Sequence, residues 1–225
     1  MIKKLGLGTV QFGLDYGLRN SDGQVPLKEV QKILSYAKSK DIRTIDTASE
    51  YGESEKILGK IGVKDYEVIT KTKKLISSTD NVVDYFYKSL DNLMLDRIDG
   101  LLIHDFNDVG NKNFEDLFKH LKYLQQQGLF GKIGFSIYNE KQVDYLLENF
   151  DFDLIQVPIN VFDTRLLSGG QLSKLQNRDI EVHARSIFLQ GLPRKEKLIQ
   201  SLKLQKRMRK LQVCLEYTFL ILLIN

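Results

Sequence analysis

Short apolar or β-branched runs alternate with helical patterns along most of the chain. Apolar residues recur at the spacing of one helix face within 30–37, 114–121 and 143–150. The runs between such patterns have the length and composition of buried strands. This alternation is typical of a parallel sheet with crossover helices. The predicted strands cover residues 5–9, 43–47, 67–72, 99–104, 132–136, 154–157 and 181–186.

Seven strand-helix units follow one another without a Pro/Gly-rich linker. We therefore predict one α/β domain over residues 1–225, built as a closed or nearly closed TIM-type barrel of about seven units. The alternative is an open doubly wound sheet. No Gly-x-Gly-x-x-Gly follows the first predicted strand to favour it.

The composition is that of an ordinary globular protein, with 42% hydrophobic residues, 28% charged residues and a formal net charge of +4. The single cysteine, Cys214, and an N-terminus without a signal-peptide core favour the cytoplasm.

The apolar run at 217–224 is far shorter than the roughly 20 residues that span a bilayer. The basic run at 194–210 lacks interleaved aromatics, so we interpret it as a solvated helix face. We expect neither a membrane nor a nucleic-acid partner, and no Cys/His spacing predicts a metal site.

Polar side chains stand at the carboxyl ends of the predicted strands, where barrel enzymes place their chemistry. Asp46, Lys71 and His104 end neighbouring strands, and Tyr51 follows Asp46 in the same loop. Each of these residues alone has an ordinary structural explanation. Together they predict a proton-transfer site, because a nearby ammonium lowers the pKa of a tyrosine and a carboxylate keeps that ammonium charged. A histidine that donates a hydrogen bond to a carbonyl oxygen completes a site suited to hydride addition.

These residues lie in segments that resemble the catalytic motifs of the aldo-keto reductases. The segments are Ile45-Asp46-Thr47-Ala48 with Tyr51-Gly52, Ile69-Thr70-Lys71 and Leu102-Ile103-His104. The resemblance implies a (β/α)8 barrel that binds NADP(H) and reduces a small-molecule carbonyl substrate. By this match Tyr51 is the acid/base, and Asp46, Lys71 and His104 support it.

Further segments resemble the family's cofactor-binding positions. Ser136 and Gln156 match residues that hold the nicotinamide carboxamide, and Arg185 stands where a tyrosine often stacks on the nicotinamide. A guanidinium stacks on flat rings but repels the positive ring of the oxidised cofactor. The cofactor-binding residues that the resemblance implies are Gly8, Thr9, Asp46, Ser136, Gln156, Arg185, Ser186 and Gly191.

The C-terminal part departs from the family, which continues through a helix and an eighth strand to residues that grip the adenosine end of the cofactor. Here we expect the eighth strand to be missing, which leaves two unpaired edges open to self-association. A shortened gene product, a tail that pairs into the gap in a new way, and closure by a partner subunit are the open explanations. An alternative function follows: a catalytically impaired homologue, or a non-catalytic interaction protein that cannot hold the cofactor.

Overall fold

Eight parallel strands form a closed barrel in this computed structural model, and each strand pairs with its neighbours in chain order. The structure describes residues 5–17, 20, 22–75, 82–160 and 162–187, together with the backbone of 219–223. The strands are β1 (Leu5–Gly8), β2 (Thr44–Asp46), β3 (Glu67–Lys71), β4 (Ile98–Ile103), β5 (Phe130–Ser136), β6 (Leu154–Pro158), β7 (Glu181–Arg185) and β8 (Phe219–Leu223).

Amphipathic helices follow the strands and cover the barrel. Their apolar faces are buried, as the helical spacing of the sequence predicts. They are α1 (Val10–Gly13), α2 (Leu27–Ser39), α3 (Ser54–Ile61), α4 (Val82–Leu93), α5 (Phe114–Gln126), α6 (Glu140–Asn149), α7 (Arg165–Ser168) and α8 (Gln171–Gln176), with a 3-10 turn at Phe106–Gly110.

The predicted barrel is confirmed over β1–β7, and every predicted strand boundary lies within two residues of the observed one. The barrel also excludes the doubly wound alternative. The position of the eighth strand, which we expected to be empty, is filled by β8. This strand pairs with β1, where Leu5 is opposite Leu220, and with β7, where His183 is opposite Phe219.

The segment at 219–223 forms a strand for a physical reason. A short apolar run fits a buried strand as well as a helix, so periodicity does not decide between them. Unpaired backbone groups on the edges of β1 and β7 favour a strand, because a parallel strand satisfies both edges at once. The tail thus pairs into the gap, which was one of the three explanations. Because β8 pairs with both β1 and β7, these strands do not form the open edges on which the predicted self-association rests.

The barrel wall is close-packed, and one contact fixes the separation of two strands. A Cβ on Gly134 of β5 would lie 1.6 Å from the carbonyl oxygen of Leu154 on β6. Only glycine allows this approach. It sets the neighbouring strand ends, Ser136 and Gln156, directly opposite each other in the register.

Candidate active site

A cavity of about 250 Å³ opens at the carboxyl ends of the strands. Its position agrees with the placement of active sites in barrel enzymes. Asp46, Tyr51 and His104 all line it, together with cofactor-binding candidates. The full lining is Val10, Tyr16, Asp46, Tyr51, His104, Ser136, Tyr138, Gln156, Arg185 and Ser186.

Lys71 lies at the end of β3 and forms a buried ion pair with Asp46 of β2. Its Nζ is 2.7 Å from Asp46 Oδ1, and the two side chains are 1% and 5% exposed. The same ammonium donates to the carbonyl oxygen of Thr47 at 2.9 Å and to Tyr51 Oη at 3.4 Å. An ammonium has three N–H donors, so each donor of Lys71 has a partner.

The charge state of Lys71 follows from the balance of burial and attraction. Burial acts to lower the pKa of Lys71, but the charges of Asp46 and Tyr51 and the hydrogen bonds to both together outweigh it, and the pKa is raised overall. Lys71 is therefore a cation at neutral pH. This agrees with the expectation that Asp46 keeps the ammonium charged.

Tyr51 is set in place by the loop between β2 and α3. A Cβ on Gly13 would lie 1.7 Å from the carbonyl oxygen of Tyr51, and Gly52 has a positive φ of 56°. Both positions require glycine, the first for close approach and the second for backbone conformation. The loop is thereby pressed against α1, with the Tyr51 hydroxyl directed towards Lys71.

Burial raises the pKa of Tyr51 above its ordinary value of 10.0, and the charge of Lys71 opposes this rise. The expected effect of Lys71 is thus present, but burial is larger. Tyr51 is consequently protonated at neutral pH, as a proton donor must be.

His104 follows β4 and faces Tyr51, with 6.0 Å between the ring centres in an edge-to-face arrangement. Burial, assisted by the charge of Lys71, lowers the pKa of His104 from 6.5 to about 4. Its backbone N–H donates to Thr72 Oγ1 at 3.2 Å. Its Nδ1 lies 3.1 Å from Glu50 Oε2 but without the direction of a hydrogen bond. His104 is therefore a neutral imidazole that supplies one N–H.

Two of the expected cofactor residues also contact Asp46. Gln156 Nε2 donates to Asp46 Oδ1 at 2.7 Å, a contact between residues 110 positions apart that the sequence did not reveal. Its Oε1 is buried without a hydrogen-bond partner among the described residues. Thr9 Oγ1 donates to the carbonyl oxygen of Asp46 at 3.0 Å, so this hydroxyl fixes the end of β2. Gly8 is the register partner of Asp46, and Ser136 lines the cavity.

The remaining cofactor candidates lie at the end of β7. Arg185 donates through Nη2 to the carbonyl oxygen of Ile137 at 3.1 Å, and its guanidinium lies 4.2 Å from the ring centre of Tyr138. Ser186 has a positive φ of 60°, which is uncommon for a serine. Gly191 lies outside the described residues.

Tyr16 and Tyr138 line the cavity but were not predicted as site residues. The signal for Tyr138 was its position two residues beyond Ser136, in a loop at the carboxyl end of β5. Tyr16 follows α1, and the sequence offered no comparable signal for it.

Two features are absent from the described residues. None of the helices in those ranges combines the length and apolar character needed to cross a membrane. Within the same part of the chain, no three His, Cys, Asp or Glu side chains are grouped in a way that could hold a metal ion.

Comparison with known proteins decides the family. The sequence profile described as "Aldo/keto reductase family" matches residues 4–220, which is nearly the whole chain. The chain belongs to the aldo/keto reductase family. The resemblance inferred from the strand-end motifs is thus confirmed, and the family is one of oxidoreductases.

Similarity to individual family members is more distant. A curated aldo-keto reductase of Mycolicibacterium smegmatis is 28% identical over 130 residues, covering 56% of this chain and 47% of that protein. The aligned part of the chain thus spans about half the length of this curated relative.

Solved structures of family members share the fold. A protein of Pseudomonas aeruginosa assigned to the aldo-keto reductases superposes with a TM-score of 0.74 at 22% identity, covering 98% of this chain and 84% of that one. An aldo-keto reductase of the silkworm Bombyx mori, in complex with NADP, gives a TM-score of 0.71 at 22% identity, with coverages of 98% and 79%. At these identities the likeness shows the barrel fold.

Proposed function

We propose that this chain is an NADP(H)-dependent oxidoreductase that reduces an aldehyde or ketone to an alcohol, with Tyr51 as general acid/base. The observation that carries the proposal is the 3.4 Å contact between Lys71 Nζ and Tyr51 Oη, in which the ammonium is held by Asp46 at 2.7 Å. Tyr51 and His104 line the same cavity.

The chain's own groups account for the proton side of the reaction. His104, neutral because its pKa is lowered to about 4, would donate its N–H to the carbonyl oxygen and orient it. Tyr51 would give its proton to the same oxygen, which carries negative charge once hydride has reached the carbon. Lys71 would stabilise the resulting phenolate by charge and hydrogen bond. Asp46 offsets the cost of burying the ammonium.

A nicotinamide cofactor fits the residues present. The buried Gln156 Oε1 lacks a partner among the described residues, and a carboxamide NH₂ is the kind of donor that would satisfy it. Ser136, opposite Gln156 in the register, adds a hydroxyl to the same cavity. Bound there, NADPH would supply the hydride. The NADP complex of the silkworm relative lends support to this choice of cofactor.

The proposal is tested with Tyr51→Phe, which removes the hydroxyl and keeps the ring. Titration with NADPH, followed by cofactor emission, should give equal affinities for wild type and variant. NADPH-dependent reduction of small aldehydes should be lost in the variant, by about 100-fold or more. Tyr123→Phe, at a tyrosine that is 54% exposed on α5, is the matched control and should behave as wild type.

Two results would count against the proposal. Substantial turnover by Tyr51→Phe would show that Tyr51 is not the general acid. Failure of the folded wild-type chain to bind NADPH would instead favour the alternative in which the chain does not hold the cofactor and is no reductase.

A further inference from the structure

A chain of three buried hydroxyls links the ends of β1 and β2 to the start of α3. Thr9 follows β1, Thr47 follows β2 and Ser54 begins α3, and all three residues are 0% exposed. Ser54 Oγ lies 3.0 Å from both Thr9 Oγ1 and the carbonyl oxygen of Thr9, and 3.2 Å from Thr47 Oγ1. Ser54 is therefore the central member of this hydroxyl chain.

The direction of each hydrogen bond in the hydroxyl chain follows from the supply of protons, because a hydroxyl has one proton to donate. Thr9 donates its proton to the carbonyl oxygen of Asp46 at 3.0 Å, so Ser54 is the donor to Thr9. The proton of Ser54 is thereby used, and Thr47 is the donor to Ser54. Ser54 thus accepts from one threonine and donates to the other, and alanine could do neither.

Both ends of the hydroxyl chain lie at residues that hold the ammonium of Lys71. Thr47 accepts from Lys71 Nζ through its backbone carbonyl oxygen at 2.9 Å, and Asp46 accepts through its carboxylate at 2.7 Å. A shift of these two residues would therefore move the ammonium. The hydroxyl chain fixes them to β1 and to α3.

Ser54 also holds the loop on the other side of the contact between Lys71 and Tyr51. Its backbone N–H donates to the carbonyl oxygen of Tyr51 at 3.0 Å. The distance from Lys71 Nζ to Tyr51 Oη is 3.4 Å, which is at the long end of hydrogen-bond distances. A small displacement of either partner would break this contact.

We propose that Ser54 is a positioning residue, whose buried hydroxyl sets the distance between Lys71 and Tyr51. The inference rests on the proposed function, in which the ammonium stabilises the Tyr51 phenolate. It is distinct from a purely structural role, because a serine that only anchors α3 would affect stability and leave the chemistry of the folded chain unchanged.

The first test replaces Ser54 by alanine, which suits a helix and removes the hydroxyl. With NADPH and a small aldehyde, and with circular dichroism showing a folded chain, kcat should fall roughly 10- to 100-fold, as for a misplaced reacting group. KM and the affinity for NADPH should be nearly unchanged, because Ser54 does not line the cavity. Ser89→Ala is the matched control and should keep the wild-type kcat, since Ser89 is 2% exposed on α4, which contributes no residue to the cavity lining.

A second variant, Thr47→Val, breaks the hydroxyl chain at another point and leaves Ser54 in place. It nearly preserves the shape of the side chain and keeps the backbone carbonyl that accepts from Lys71. We expect the same fall in kcat, again without a change in KM. The double variant Ser54→Ala/Thr47→Val should be little worse than Ser54→Ala, because both substitutions break the same chain.

Two kinetic results would overturn the proposal. One is a wild-type kcat in folded Ser54→Ala, which would leave the serine a structural role only. The other is a pair of single-variant losses that multiply in the double variant, which would show that the two hydroxyls act independently.

An NMR measurement keeps the proposal separable from the reductase function. With tyrosine isotope-labelled at Cζ, the signal that is missing from Tyr51→Phe belongs to Tyr51, and its position reports the surroundings of the hydroxyl. Ser54→Ala should shift this signal and Ser89→Ala should not, whether or not the wild type reduces an aldehyde. An unmoved Tyr51 signal in folded Ser54→Ala would refute the positioning role, whereas a wild type that reduces no aldehyde would refute the proposed function.

Discussion

Replacing Lys71 by methionine tests the ion pair at the centre of the site. The substitution preserves much of the side-chain volume but leaves Asp46 as a buried carboxylate whose remaining side-chain partner is Gln156. Because the paired side chains are only 1% and 5% exposed, we expect the loss of one partner to cost about 3–5 kcal/mol. That is a large part of the roughly 5–15 kcal/mol that stabilises a typical domain.

The matched double variant Asp46→Asn/Lys71→Met separates charge from packing. It buries no charge, and the asparagine can still accept from Gln156, so we expect its stability to return to within about 1–2 kcal/mol of wild type. Lys32→Met is the control for an exposed pair, with Lys32 and Glu29 at 74% and 51% exposure, and should change stability by less than about 0.5 kcal/mol.

Urea denaturation followed by circular dichroism gives the free energies of unfolding. Two results would contradict the predicted energetics of the buried ion pair: a loss of stability in Lys71→Met no greater than in Lys32→Met, or a double variant as unstable as Lys71→Met. Neither Lys71→Met nor the double variant retains the cation next to Tyr51, so both should lose reductase activity whatever their stability. Activity and stability therefore separate in the double variant.

Two further predictions concern protonation and the placement of Tyr51. The proposed reduction requires a neutral His104 and a protonated Tyr51; the pKa of His104 is lowered to about 4 and that of Tyr51 is raised above 10.0. We expect kcat/KM to be flat through pH 6.5, where an ordinary histidine titrates, and to fall only at much lower pH or above pH 10.0; a pH profile with an inflection near 6.5 would contradict this. Gly13→Ala should destabilise the fold by several kcal/mol or displace Tyr51, because the new Cβ would lie 1.7 Å from the Tyr51 carbonyl oxygen. A Cβ at Gly110 would meet no atom within 4 Å, so Gly110→Ala should leave stability and turnover nearly unchanged. Thermal unfolding and turnover of the two variants measure the difference.

Most of the barrel could be predicted because its local signals agree. Four of the strands β1–β7 end at or next to a polar residue that lines the cavity: Asp46, His104, Ser136 and Arg185. The carboxyl ends of parallel strands meet at one face, so strand-end residues converge whatever their separation in sequence. This is why the grouping of Asp46, Tyr51, Lys71 and His104 could be predicted from spacing and motif.

Three features depend on the assembled structure. The run at 217–224 is too short for periodicity to distinguish strand from helix, and the unpaired edges of β1 and β7 decide it. The pKa of Tyr51 depends on two opposing effects, burial, which raises it, and the charge of Lys71, which lowers it. Their relative size cannot be predicted from the sequence. The hydrogen bond from Gln156 to Asp46 joins β6 to β2, 110 positions apart in the sequence. No local sequence pattern predicts such a contact.

The most direct test of the account is a single-turnover reduction of an aldehyde by the full chain with NADPH that carries deuterium at both C4 positions. We expect the wild type to form an alcohol with one deuterium on the former carbonyl carbon, and Tyr51→Phe to form none, although both bind the cofactor. An alcohol without deuterium, or equal rates for the two proteins, would contradict it.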